Sequence, residues 1–147
     1  MSAVTYPRSA YDKVDGMVYF ARMLDKIRLN AASKLPSGYH KNLGTTLFAT
    51  FDGRCVRFLG VNYSSLVKRV LEGGSDEEIL KWCFARGRKP TEEEILIWNS
   101  FMIKRGWRED DRTTEELEAY KAQSGLAHRK DILTLFDYYE VDEGRKN

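Results

Sequence analysis

The chain has 147 residues, enough for one domain around a single core and too few for two comfortable ones. It carries 24 Lys and Arg against 22 Asp and Glu, a near balance that lacks the footprint of a nucleic-acid binder. The balance is uneven along the chain: residues 1–74 hold 11 basic and 5 acidic side chains, residues 75–105 six of each, and residues 106–147 seven basic and 11 acidic.

No stretch approaches the roughly 20 apolar residues of a membrane helix, and Met1 to Arg8 lacks the charged-then-apolar pattern of a signal peptide. Cys55 and Cys83 lie far apart without C-x-x-C spacing, which argues against a disulfide framework. The expectation is a cytoplasmic protein with two reduced thiols and no membrane attachment.

In chain order, Met17, Phe20, Leu24, Ile27 and Ala31 recur at steps of three and four and predict a helix over residues 16–32. Arg22, Asp25 and Lys26 fall on its opposite, polar face. Ser33, Pro36, Ser37 and Gly38 break it, and residues 33–51 read as a long irregular loop, the kind of segment that carries function more often than average. Residues 47–51 are the best candidate strand, but no second alternating run pairs with them. Asp52 reads as the cap of a short helix stopped by Gly60, and a second short helix spans Tyr63 to Glu72 before Gly73-Gly74.

Three capping boxes follow, at Ser75–Glu78, Thr91–Glu94 and Thr113–Glu116. The three helices they begin end at Arg86-Gly87, Lys104-Arg105-Gly106 and Ser124-Gly125, where cations or a small residue precede glycine. Glu78-Ile79-Leu80-Lys81-Trp82 returns as Glu94-Ile95-Leu96-Ile97-Trp98, an echo of shared helix grammar rather than a repeat unit. A last helix over residues 127–141 buries Ile132, Leu135, Phe136 and Tyr139. Its charges oppose its dipole, with His128, Arg129 and Lys130 at the start and Glu140, Asp142 and Glu143 at the end, so acidic and basic partners outside it are expected. The fold class is therefore all-α, a single domain of six or seven helices over residues 1–147 with the first helix central.

Pro7-Arg8-Ser9, the run from Ala21 to Arg28, Phe58-Leu59-Gly60-Val61, Gly74-Ser75-Asp76-Glu77-Glu78 and Trp98-Asn99 ahead of Lys104-Arg105-Gly106 occur in that order. Over about residues 6–108 this set resembles a bacterial family catalogued as a domain of unknown function, with residues 109–147 as a C-terminal helical extension. The resemblance implies a compact, mainly helical cytosolic domain and assigns no catalytic residues. Tyr39-His40 matches the pair expected there, whereas residues 41–51 depart from the family pattern.

Arg8, Arg22, Lys26, His40 and Arg54 form an anion site if residues 33–54 fold back over the first helix, because guanidinium groups suit carboxylates and phosphates. Asp25, three residues from both Arg22 and Arg28, draws on the same charge. His40, Cys55, Cys83 and His128 have the number of a zinc site but not its spacing, so no metal and no cofactor are expected. Cys55 has no third group to orient His40, and no G-x-S-x-G elbow is present.

The cations at residues 86–89 and 104–108 sit at helix ends beside acids, so nucleic acid is not the expected partner. The preferred reading is a non-catalytic binding domain whose site for a small anionic metabolite or a partner lies between the first helix and residues 33–54. The alternative is a hydrolase or transferase using His40 with Asp52 or Cys55, and a further one is self-association through Phe136, Tyr138 and Tyr139.

Overall fold

The protein is described from a computed structural model, which defines residues 4–45, 50–109 and 111–147. Seven α-helices occur among them: α1 Phe20–Ala31, α2 Phe51–Leu59, α3 Tyr63–Leu71, α4 Asp76–Arg86, α5 Glu92–Lys104, α6 Thr113–Gln123 and α7 Leu135–Asp142. A 3₁₀ helix, Ser37–Asn42, lies between α1 and α2, and two short strands, β1 Lys13–Val14 and β2 Met17–Val18, precede α1. The architecture is mainly α-helical, as the sequence predicts. The candidate strand at residues 47–51 lies largely outside the described residues, and Phe51 opens α2.

The strands are an antiparallel hairpin pairing Lys13 with Val18 and Val14 with Met17. Asp15 and Gly16 both have positive φ, 46° and 84°, as a two-residue Asp-Gly turn requires. This hairpin occupies the start of the predicted first helix, which therefore begins at Phe20. The Trp98-Asn99 pair of α5 holds it in place. Asn99 Oδ1 accepts from the Val18 N–H at 3.0 Å, its amide donates to the Gly16 carbonyl at 2.7 Å, and Trp98 Nε1 donates to the Val18 carbonyl at 3.1 Å. Asn99→Ala removes two of these three bonds, and a loss of about 1–2 kcal/mol in denaturant unfolding is expected.

The helix starts follow from capping. Thr91 and Glu94 complete a reciprocal box on α5, whereas the box expected at Ser75 is half made: Ser75 accepts from the Glu78 N–H to begin α4, and its hydroxyl rather than its backbone N–H donates to the Glu78 carboxylate. The third expected box is absent: Thr113 is the first residue of α6, its hydroxyl accepts from Arg105, and the helix has no side-chain cap. Asp52 likewise does not cap α2. Thr50 does, and Asp52 lies inside the helix, fully buried. The last helix starts at Leu135 rather than at residue 127, capped by Thr134 on the Asp137 N–H. His128, Arg129 and Lys130 thus precede it by several residues, and the reversal of charge at its start disappears.

The main core gathers Phe20, Met23, Leu24 and Ile27 of α1 with Leu59, Leu66, Ile79, Leu80, Cys83, Trp98 and Met102. Phe136 of α7 belongs to it, while Leu117, Ile132, Leu135 and Tyr138 make a smaller cluster; Phe51 and Tyr139 pack against both. The ends of α2 and α4 cross closely, with the Arg88 N–H donating to the Leu59 carbonyl at 3.0 Å. A Cβ on Gly87 would stand 2.0 Å from that oxygen, so only glycine fits.

The polar face assigned to α1 is not solvated. Arg22 and Lys26 are 3 % and 4 % exposed, because each meets a carboxylate from another element.

Candidate functional site

A cleft of about 400 Å³ opens between α1, the 3₁₀ helix, the start of α2, and α6 with α7. It lies at the seam of the two apolar clusters, where Phe51 and Tyr139 touch both. Arg22 and Lys26, one helical turn apart on α1, stand side by side on its wall. Tyr39, Lys41 and Asn42 come from the 3₁₀ helix, Tyr120 from α6, and Tyr138 and Tyr139 from α7.

Two buried ion pairs set the electrostatics behind that wall. Lys26 Nζ donates to Asp52 Oδ1 at 3.0 Å, to the Tyr19 hydroxyl at 3.2 Å and to the Asn42 carbonyl at 2.9 Å, which uses all three ammonium protons. Asp52 also accepts from the Tyr19 hydroxyl at 2.6 Å and from the Gly44 N–H at 2.9 Å. Burial pushes Lys26 below the ordinary lysine value, with Asp52 opposing the shift. Burial, reinforced by the charge of Asp52, raises Tyr19 well above an ordinary tyrosine, so its hydroxyl stays protonated.

The second pair is bidentate. Arg22 donates to Glu143 Oε1 at 2.8 Å and Oε2 at 2.6 Å, and Glu143 also accepts from the Tyr39 hydroxyl at 2.5 Å and from Arg145 at 2.6 Å. The Arg22 guanidinium lies over the Tyr139 ring, 4.5 Å from its centre, a cation–π contact. Arg22 and Arg145 are the basic partners that the acidic end of the last helix calls for.

Burial alone would raise Glu143, but the hydrogen bonds and charge of Arg22, with Tyr39 and Arg145, bring it below the ordinary 4.5. Asp76 is likewise held below 3.8, because Arg28 and Arg8 outweigh its burial. A carboxylate depressed in the folded state contributes stability that is complete above its unfolded pKa and lost as pH falls through the folded one. Unfolding free energy should therefore stay level down to about pH 5 and fall steeply below about pH 4.5. Urea midpoints across that range in the parent and in Glu143→Gln measure it, and the variant should show the shallower fall.

The structure separates the sequence-derived site residues. Arg22 and Lys26 line the cleft. Arg8 lies in a different network, bonded to Asp25 at 2.9 Å and to Asp76 at 2.5 Å, with Arg28 completing it on Asp76 at 2.8 Å. His40 is exposed on the 3₁₀ helix between Tyr39 and Lys41. Arg54 turns toward α5 and stacks on Phe101 at 5.3 Å.

Of the residues weighed for catalysis, Cys55 is fully buried and burial holds its thiol protonated, which removes the thiolate a nucleophile needs. Asp52 is occupied by Lys26, Tyr19 and Gly44. Cys83 is also buried, and both cysteines are free thiols. Among the described residues no three His, Cys, Asp or Glu side chains are grouped to hold a metal.

The sequence does not single out Tyr19, Lys41, Phe51 or Tyr120; it places Tyr139 on the buried face of the last helix and Tyr138 and Tyr139 in an interface, not at a cleft. An aromatic residue at helical spacing looks the same whether it fills a core or walls a cleft.

Fold and cleft together define a small helical protein with a tyrosine-rich, cation-bearing cavity backed by two buried ion pairs. The chain belongs to the family described as domain of unknown function DUF5069, whose model matches residues 4–145 and so takes in α6 and α7, which supply one wall of the cavity. No curated protein matches the chain closely enough to count as a relative. Among the described residues no helix is long and apolar enough to cross a membrane.

Proposed function

We propose that this chain is a non-catalytic binding domain, and that its cleft takes a small anion built on a planar ring. The observation that carries the reading is the pairing of chemistries on one cavity. Five tyrosine side chains and Phe51 line it, together with Arg22, Lys26 and Lys41. Arg22 and Lys26 are held rigid by Glu143 and Asp52, so their positions are fixed before a ligand arrives. Lys41 is exposed, lies 5.7 Å from the Tyr120 ring and carries the charge most open to a carboxylate or phosphate. A cavity of this volume suits a ligand the size of a nucleoside monophosphate or smaller.

The same reading places the protein in a bacterial cytoplasm. The family resemblance supports it, and two unpaired buried thiols suit a reducing compartment.

Thermal unfolding with benzoate, 4-hydroxybenzoate, AMP and inorganic phosphate tests the proposal. At least one ring-bearing probe is expected to raise Tm by about 2–5 °C at millimolar concentration, with phosphate alone giving less. Lys41→Ala and Tyr120→Ala, both at the cavity rim, should abolish the shift. A Tm unmoved by every probe, or a shift that survives both variants, overturns the reading.

A further inference from the structure

The outer face of α5 shows a pattern independent of the cleft. Glu93, Leu96, Ile97, Ser100, Phe101 and Lys104 are all exposed and fall at steps of three and one, which places them on one stripe of the helix. The opposite face, with Trp98 and Met102, is buried in the core. A surface helix ordinarily turns polar residues to water, yet here Leu96 is 64 %, Ile97 61 % and Phe101 39 % exposed. Trp107 extends the apolar surface at 45 % exposure, and together these residues line a shallow groove of about 550 Å³.

The ends of the stripe are charged and of opposite sign. Glu93 lies in the first turn and Lys104 in the last, and neither has an ion-pair partner among the described residues. Arg54 adds to the positive end. It stacks on Phe101, its Nε is buried without a hydrogen-bond partner, and burial with the nearby charges of Arg105 and Arg57 holds its pKa below the ordinary arginine value.

We infer that this face is the contact between two copies of the chain, packed through antiparallel α5 helices about a two-fold axis. A two-fold contact requires a surface complementary to itself, and this stripe is. Antiparallel pairing centred between Trp98 and Asn99 sets Glu93 against Lys104 of the second copy, Leu96 against Phe101 and Ile97 against Ser100. The Glu93–Lys104 pair forms twice, once on each side of the axis, over a stripe about 16 Å long at 1.5 Å per residue. Ser100, the smallest side chain on the stripe, lies beside the axis and lets the helices approach. The antiparallel order also sets each helix dipole against its opposite. The helix dipole accounts for an acid at the start and a base at the end; their equal distance from the centre of the apolar stripe is what lets a second copy satisfy both.

Sedimentation velocity of the full chain over micromolar to near-millimolar concentration tests the proposal. A mass rising toward twice that of the chain is expected. Ile97→Glu places like charges at the centre of the contact and should leave a monomer. Lys104→Glu sets two glutamates opposite each other and should weaken association roughly tenfold. Glu93→Lys combined with Lys104→Glu restores opposite charges and should recover the parent affinity to within about threefold. All these positions are exposed, and far-UV circular dichroism checks that each variant is folded. A parent chain that stays monomeric throughout overturns the proposal, as does a dimer indifferent to Ile97→Glu or a double variant no stronger than Lys104→Glu alone.

Discussion

Replacing Asp52 with alanine is expected to cost about 3–5 kcal/mol of unfolding free energy, measured by urea denaturation at neutral pH. Asp52 is 0 % exposed and answers three donors at once: the Lys26 ammonium, the Tyr19 hydroxyl and the Gly44 N–H. Without it the Lys26 charge stays buried with only neutral oxygens for company, and a lone buried charge is far more costly than a lost hydrogen bond. Lys26→Met should be milder, because Asp52 keeps Tyr19 and Gly44 and because desolvation already opposes the lysine charge. Combining Lys26→Met with Asp52→Asn removes both charges and should recover a substantial part of the loss. A double variant as unstable as Asp52→Ala would show that packing rather than charge sets the cost.

Glu143→Ala is expected to be comparably severe, again about 3–5 kcal/mol. Its carboxylate receives Arg22 through two bonds, Tyr39 through one and Arg145 through one. Among the described residues, the substitution leaves Arg22 buried against Tyr139 with a single acceptor, the Arg8 carbonyl. Arg145 loses less, since it keeps Glu140 and the Pro7 carbonyl. Arg22→Ala should cost less than Glu143→Ala, because Arg145 and Tyr39 remain to hold the carboxylate. Denaturant midpoints give the ranking, and amide exchange should show α7 opening first in both variants. Equal protection of α7 in the parent and in Glu143→Ala would contradict this account.

These two clusters show where sequence reasoning reaches and where it stops. Capping is local, so Ser75 and Thr91 disclose their helices within four residues, and Gly60 discloses the end of α2 by its left-handed conformation. The Asp15-Gly16 hairpin is equally local and was legible in principle. Met17 also fits the helical period of α1, and a two-residue strand is too short to show alternation of its own, so the helical pattern masks it. The start of α7 is obscured for a related reason: Ile132 is buried at a helix-compatible spacing from Leu135 and Phe136, yet it lies in the irregular stretch before the cap.

Arg22 and Lys26 fail differently. Charge assigns them to water, and only partners 121 and 26 residues away bring them inside. A carboxylate at such a distance leaves no periodic trace in the sequence. The charge gradient did carry that information in aggregate, since a basic first half and an acidic tail are what two docked segments require. The cleft divides along the same line. Its wall from α1 and the 3₁₀ helix lies where residues 33–54 drew attention, whereas the wall from α6 and α7 depends on tertiary packing alone.

The knitting of residues 7–11 to the last helix and its end bears on how the protein is made. Ser9 reaches Glu140, Tyr11 reaches Asp137, and Arg145 reaches the Pro7 carbonyl. A ribosome releases the N-terminal half long before α7 emerges, and domains begin to fold in that order. Until Glu143 has been synthesised, Arg22 has no carboxylate and the cavity lacks its far wall. A nascent chain therefore has no closed cleft, and a product cut short before residue 135 would carry exposed Tyr19 and Phe51 as a mark that quality-control proteases can read.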